Sequence, residues 1–230
     1  MPAYCYFREG DLTPQTRVML TGAEGHHATR VMRRSRGDEI TLINGRGQSA
    51  SARVLEHGRD TLLCEIINAV SHSHRYYVAL VQGIVRWEAL CWIVEKATEL
   101  GVAHIGLALR DKDRTLSDAK QEHLRKIAIA ALKQSGNYHL PIIGPIKPLE
   151  QWQFPLDTEL YFADPCANHQ IIVKGQLEQK RVLFVGPESG FTEKERHYLC
   201  NSGAKGICLS SSILRSETAA ICGLHDLCKR

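Results

Sequence analysis

The chain has 230 residues, 43% hydrophobic and 23% charged. It can bury a sizeable core, and its composition excludes a disordered or fibrous protein. No apolar run approaches the ~18–20 residues of a membrane span, and Met1-Pro2-Ala3-Tyr4 begins no signal-peptide pattern, so a cytoplasmic protein is expected. A formal net charge of +4 permits an anionic partner without demanding one, and where the charge sits matters more than its sum.

Residues 1 to about 70 read as β-rich. Short apolar segments (Tyr4 to Phe7, Arg17 to Leu20, Glu39 to Ile43, Ala50 to Leu55, Thr61 to Ile67) alternate with turn signals such as Asn44-Gly45-Arg46-Gly47, spaced as in a small barrel or sandwich. A short helical stretch interrupts them. Helical spacing from Glu24 to Arg34 places His26, Arg30 and Arg33 on one face with Arg34 and Arg36 beside them, and turns Val31 and Met32 toward a core. This face is either simply solvated or an anion-binding patch. With no acidic residue interleaved before Asp38, the second reading is favoured, nucleic acid being the usual partner.

Polar Ser71 to Arg75 breaks the pattern and marks a domain boundary, giving domains 1–72 and 73–230. Tyr77 to Ile84 reads as a buried strand. Arg86 to Leu100 has helical periodicity with Gly101 as its stop, and its two tryptophans suit either a core or a dimer surface. A strand at Val102 to Leu109 follows. A helix then opens at Ser117 with Leu124, Ile127, Ala128, Ala131 and Leu132 on its apolar face. Strands near Ile142, at Leu160 to Ala163, at Arg181 to Val185 and at Gly206 to Leu209 complete an alternation that argues for an α/β domain with a largely parallel sheet.

Two turns follow the last two strands: Gly186-Pro187-Glu188-Ser189-Gly190-Phe191, and Ser210 through Thr218. Ligands of α/β proteins bind at the carboxyl ends of such strands. Each turn leads into a helix start, the first through a capping-box pattern at Thr192 to Glu195, the second with Ser216 or Thr218 as cap and Ala220, Leu224 and Leu227 as the buried stripe. Helix N-termini offer unpaired N–H groups, and Gly186 and Gly190 permit φ > 0 and close approach of a ligand. On local pattern alone, both turns also suit ordinary capped connections. No Gly-Lys-Ser/Thr follows the glycines, which excludes a Walker A loop.

The eight cysteines form no C-x-x-C pair, and several sit in apolar runs, so they read as small buried hydrophobes in a reducing compartment. His26-His27 and His72-Ser73-His74 lack partners at ligand spacing, and no metal is expected.

His27-Ala28 with Arg30-Val31-Met32-Arg33 and Gly37-Asp38, Glu95 to Val102, Gln134-Ser135, Leu140-Pro141, Gly186-Pro187-Glu188 with Gly190-Phe191, and Ile213-Leu214-Arg215 with Glu217-Thr218-Ala219 resemble, in register over nearly the whole chain, the RsmE family of ribosomal RNA methyltransferases. The resemblance implies an N-terminal PUA-like β-barrel that binds RNA and a C-terminal SPOUT domain. That domain is an α/β fold with a trefoil-knotted, mostly parallel sheet and helices on both faces. It also implies a homodimer that uses S-adenosylmethionine to methylate N3 of a uridine in small-subunit (16S) ribosomal RNA.

By position, Gly186, Pro187, Glu188, Gly190, Leu209, Ser210, Ile213 and Leu214 would surround the cofactor. His27, Arg30, Arg33, Arg34 and Arg36 would meet ribosomal RNA. Arg215 and Glu217 are the catalytic candidates: a cation can stabilise charge developing on the uracil carbonyls, and a carboxylate can take the imide proton or hold the arginine. An Arg215–Glu217 pair that only locks the loop to the helix is the plainer alternative. Glu99, at a helix end, is a further charged candidate.

The chain departs from the family pattern at Ser189 and Ser210, where glycines are usual, and at Ser212 and Asn137, where arginines are common. Arg114-Thr115 stands for an Arg-Ser pair at altered spacing. These departures motivate two alternatives to the uridine-N3 reading, a non-catalytic RNA-binding or ribosome-assembly module and a methyltransferase with a shifted RNA target.

Overall fold

Burial along the strands separates two kinds of sheet. Strand β2 (Arg17–Leu20) alternates exposed and buried positions, as a sheet with one wet face requires. Strands β6 (Val78–Gly83) and β10 (Arg181–Val185) are buried at every position, as in the middle of a parallel sheet covered on both sides. The computed structural model describes residues 5–74, 77–110, 115–167 and 179–228. The sequence readings at Met1 to Tyr4, Arg75 and Arg114 lie outside the described residues.

The one-sided sheet belongs to a unit formed by Met1–His74 and Ile129–Leu140, whereas the sequence reading keeps the latter segment with the C-terminal domain. Strands β1 (Cys5–Phe7), β3 (Glu39–Ile43), β4 (Gln48–His57), β5 (Leu62–Ser71) and β2 lie in that spatial order. β1 and β3 are parallel and the remaining neighbours antiparallel. Tyr6, Leu20, Leu42, Leu62 and Ile66 are fully buried in its core. A satellite cluster joins Cys5 and Ile43 to Leu132, with Phe7, Tyr138 and Leu140 packed against it. Beside it, Lys133 Nζ donates to Glu24 Oε1 at 2.5 Å, and His72 stacks on Tyr138 at 3.6 Å between ring centroids.

Helix α1 (Gly22–His26) runs into a π-helical turn at His27–Val31. Arg33 then takes φ +51°, which ends the helix and removes Arg33 from the face expected to carry His26 and Arg30. The wider turn also rotates Val31 outward: it is 60% exposed, against the expectation, while Met32 packs against the core as expected.

The second unit comprises Arg75–Ala128 and Pro141–Arg230. Among the described residues its six strands are all parallel, in the order β11 (Lys205–Ile207), β9 (Glu159–Ala163), β10, β6, β7 (His104–Leu109) and β8 (Ile142–Pro148). The expected alternation with helices holds: α2 (Trp87–Glu99), α3 (Asp118–Ser135), α4 (Glu193–Asn201) and α5 (Ser216–Cys228). The expected stripe of α5, Ala220, Leu224 and Leu227, is completely buried. The N-terminal part of α3 belongs to this unit and its C-terminal part to the first.

Among the eight cysteines only Cys5 and Cys64 are buried, fewer than the apolar runs suggest. Cys64 points inward from a strand, where burial pushes its thiol up to about 11. Cys200 and Cys222 occupy outward positions of helices that are apolar only on one side. Among the described residues, no helix is long and apolar enough to cross a membrane.

Because Leu132 is fully buried against Cys5 and Ile43, truncating it leaves a cavity in the first unit. Leu132→Ala is expected to lower unfolding free energy by about 2–4 kcal/mol, measured by guanidinium denaturation.

Candidate active site

β6 and β10 lie side by side in parallel, with Gln82 opposite Val185, so the first glycine-containing loop starts beside the end of the central strand. Gln82 is the polar member of an otherwise apolar strand and is completely buried. Its Nε2 lies 2.9 Å from Ser216 Oγ, 3.0 Å from the Gly83 carbonyl and 3.3 Å from the Gly186 carbonyl. Ser216 Oγ in turn donates to the Gly186 carbonyl at 2.5 Å. The sequence offers this hydroxyl as a helix cap; it instead ties the first residue of α5 to the first loop. Buried polar groups need such partners, because an unmade hydrogen bond in the interior costs about 1–3 kcal/mol.

The first loop closes tightly on itself. A Cβ on Gly186 would stand 2.9 Å from the Gly190 carbonyl carbon, and Gly190 has φ +72°. The expectation of φ > 0 therefore holds for Gly190, whereas Gly186 is required by close approach within the loop. Gly190 N donates to the Pro187 carbonyl at 2.9 Å, forming the turn. Beyond it the capping box is fully formed: Thr192 Oγ1 accepts from Glu195 N, and Thr192 N donates to Glu195 Oε2 at 2.7 Å.

The two loops enclose a cavity of about 840 Å³. Every residue assigned to the cofactor from the sequence lines it: Gly186, Pro187, Glu188, Gly190, Leu209, Ser210, Ile213 and Leu214. Arg215 and Glu217 line it as well, and among the described residues no ion pair joins them to each other. The loop-locking pair considered from the sequence is thus not formed. Ile213 is 88% exposed, an apolar side chain held at the rim. Glu99 lies elsewhere and accepts from Lys96 Nζ at 2.8 Å.

Three residues at or beneath the cavity escaped the sequence reading. Arg86, just before α2, donates its backbone N–H to Glu188 Oε1 at 3.0 Å, so the loop carboxylate caps that helix. Asp164, at the carboxyl end of β9, accepts from Arg196 Nη1 at 3.0 and 2.9 Å. The available signal was charge placed directly after a buried parallel strand. Gln82 had the same kind of signal, a lone amide in an apolar run.

In the first unit, His26 Nδ1 and Arg30 Nε lie 3.0 and 3.5 Å from Asp60 Oδ1. The basic face therefore has an acidic neighbour that sequence distance concealed, and the side-chain hydrogen bond from His26 holds the Asp60 carboxyl below its ordinary value. His27 meets the Tyr6 ring edge-on at 6.3 Å between centroids. Arg33 and Arg36 are exposed, and Arg34 is half-buried.

A family model described as an RNA methyltransferase domain matches residues 72–227, and one described as an RNA methyltransferase PUA domain matches residues 20–67. The chain belongs to the RNA methyltransferase family so defined. Ribosomal RNA small subunit methyltransferase E of Bacillus subtilis (strain 168) is 26% identical over 230 residues, covering 90% of this chain and 88% of the relative. The Rickettsia conorii protein of the same name is 25% identical, covering 88% and 85%. Among solved structures, ribosomal RNA small subunit methyltransferase E of Neisseria gonorrhoeae, bound to S-adenosyl methionine, superposes with a TM-score of 0.87 at 22% identity, over 96% of this chain and 95% of that one. A predicted RNA methyltransferase from Thermotoga maritima gives a TM-score of 0.74 at 26% identity, over 98% and 97%.

Burial opposes ionisation of Glu195, but hydrogen bonds from Arg110 and Thr192 outweigh it and hold the carboxyl below its ordinary 4.5. A depressed folded value means that the contribution is complete above the unfolded value and drains as pH falls through the folded one. Glu195→Gln should therefore be less stable than the parent near pH 7, and the gap should narrow on acidification below about pH 4.5, as followed by denaturant unfolding at each pH.

Proposed function

We propose that this chain is an S-adenosylmethionine-dependent methyltransferase acting on small-subunit ribosomal RNA at N3 of a uridine, as a cytoplasmic homodimer. The observation that carries the reading is the convergence of both loops, Arg215 and Glu217 on one cavity. Its volume suits a cofactor-sized ligand, since such pockets span ~300–1,000 Å³. Pro187, Leu209, Ile213 and Leu214 offer apolar walls for an adenine ring, and the loop main chain offers donors and acceptors for its edge. The names of the relatives and the ligand of the Neisseria structure support the same choice. The trefoil knot belongs to this reading, supported by strands far apart in sequence lying side by side, β10 against β6.

When bound, S-adenosylmethionine supplies an electrophilic methyl group on a sulfonium. Methylation at uracil N3 requires loss of the imide proton, and negative charge grows on the flanking carbonyl oxygens as it leaves. Glu217, on the cavity wall, accepts that proton. Arg215, one residue before α5, stabilises the carbonyl charge by donating to the oxygens. The exposed arginines of the first unit hold the RNA through its phosphates.

Titration calorimetry with S-adenosylmethionine should show a single site; no heat at millimolar cofactor would leave only the non-catalytic RNA-binding reading. Loss of N3-methyluridine from ribosomal RNA of cells lacking the protein, read by nucleoside mass spectrometry, would establish the product, and its persistence would remove it. Glu217→Gln is expected to slow single-turnover methylation by about 10²-fold or more with folding intact, and unchanged turnover would end the base role. Arg30→Ala and Arg33→Ala should weaken RNA binding without changing cofactor affinity, each reducing the slope of log K against log salt by about 0.7–0.9 for every phosphate no longer neutralised.

A further inference from the structure

The first loop is held from outside the cavity by a residue that does not line it. Arg110 follows β7 directly, at the carboxyl end of that strand. Its Nε donates to Glu195 Oε1 at 2.7 Å and its Nη2 to Glu195 Oε2 at 2.6 Å, the two-pronged geometry in which a guanidinium fork matches a carboxylate. The same Nη2 donates to the Gly190 carbonyl at 2.6 Å, and Nη1 donates to Ser189 Oγ at 2.8 Å. The side chains of Glu195 and Arg110 are only 11% and 28% exposed, so the ion pair between them is partly sheltered from solvent screening, whereas the contacts to Ser189 and Gly190 lie at the surface.

Glu195 is itself fixed. It accepts from Thr192 N in the capping box, and α4 is anchored to the core through fully buried Leu199. Arg110 therefore joins the end of β7 to the start of α4 across the tip of the loop that leads from β10 into that helix. Ser189 and Gly190, which the fork holds, both line the cavity.

We infer that Arg110 is a positioning residue for the cofactor: it sets the conformation of the Ser189–Gly190 tip, so the main-chain groups facing the cavity stand in binding geometry before the ligand arrives. The inference rests on the cavity being the cofactor site, as proposed above. The Ser189 hydroxyl is part of the lock rather than a tolerated addition. A lysine cannot replace the arginine, because a single ammonium cannot reach a carboxylate edge, a hydroxyl and a carbonyl in one plane. Preorganisation of this kind shows as affinity, since a loop ordered only on binding lowers it.

The test uses the full chain with Arg110→Ala, Arg110→Lys, Ser189→Ala and the Arg110→Ala/Ser189→Ala double variant. Hydrogen exchange of the Ser189 to Phe191 amides in the ligand-free protein is followed beside calorimetric titration with S-adenosylmethionine. Arg110→Ala and Arg110→Lys should each speed loop exchange and weaken cofactor binding about tenfold at a temperature where both variants are still folded, Arg110→Ala melting below the parent because it leaves Glu195 without its partner. Ser189→Ala should weaken binding a few-fold alone and have no further effect in the double variant. Loop exchange and affinity within twofold of the parent in Arg110→Lys and Ser189→Ala would overturn the inference, as would full additivity in the double variant. If Arg110→Ala does not fold, the other single variants decide. If the parent binds no cofactor, the cofactor reading fails, whereas faster exchange confined to Ser189–Phe191 would still uphold the lock and parental exchange would reject it.

Discussion

Everything at the candidate site depends on one buried contact set, the amide of Gln82 and the hydroxyl of Ser216 meeting at the Gly186 carbonyl. A side-chain amide in the middle of a parallel sheet is costly unless its hydrogen bonds are made. Here Nε2 donates to the two segments that bound the cavity, while Oε1 is buried without a partner among the described residues. The first loop leaves β10 at Gly186, and the second delivers the chain into α5 at Ser216, so their separation is set from beneath by the end of β6. Apolar packing around β6 and β10 supplies the rigidity, and the amide supplies the register. A hydrophobe at position 82 would fill the same space without specifying where either loop stands.

The cavity wall has two kinds of charge. Asp164 with Arg196, and Glu188 at the start of α2, are engaged with partners on neighbouring elements and hold those elements in place. Arg215 and Glu217 line the same space without an ion pair to each other among the described residues. Charges already satisfied within the protein shape a site, whereas charges facing an open space can act on whatever enters it. That difference in partnership, more than residue type, separates scaffold from chemistry here.

How much of this was legible in the sequence follows from the range of the interactions. The capping box at Thr192, the buried stripe of α5 and the extent of α2 depend on neighbours within a turn or two of chain and were readable from periodicity and spacing, and the parallel character of the second sheet was readable from the alternation of strands with helices. The residues of both loops could be placed at one site because strand ends in parallel sheets gather their loops. The strand order β11-β9-β10-β6-β7-β8 was not readable, since periodicity carries no information about lateral neighbours. Asp60 pairs with residues about thirty positions earlier, so the basic face looked more uniform than it is. The π-helical turn reversed Val31 because periodicity assumes a constant pitch. Gln82, Arg110 and Asp164 were each visible as polar residues in or just after an apolar run, and only the fold shows what they hold.

The shared helix α3 has a consequence for how the molecule comes into being. The first unit needs Ile129–Leu140 to complete the cluster around Cys5 and Ile43, with more than fifty residues of the second unit intervening. During synthesis its β-strands and the residues of their main core emerge early, whereas the satellite cluster around Cys5 and Ile43 is completed only when Leu132 follows. Cutting the gene after residue 74 would leave Cys5 and Ile43 without Leu132. Each unit has its own core, yet the two are interleaved along the chain, so neither can be moved to another protein by a single cut.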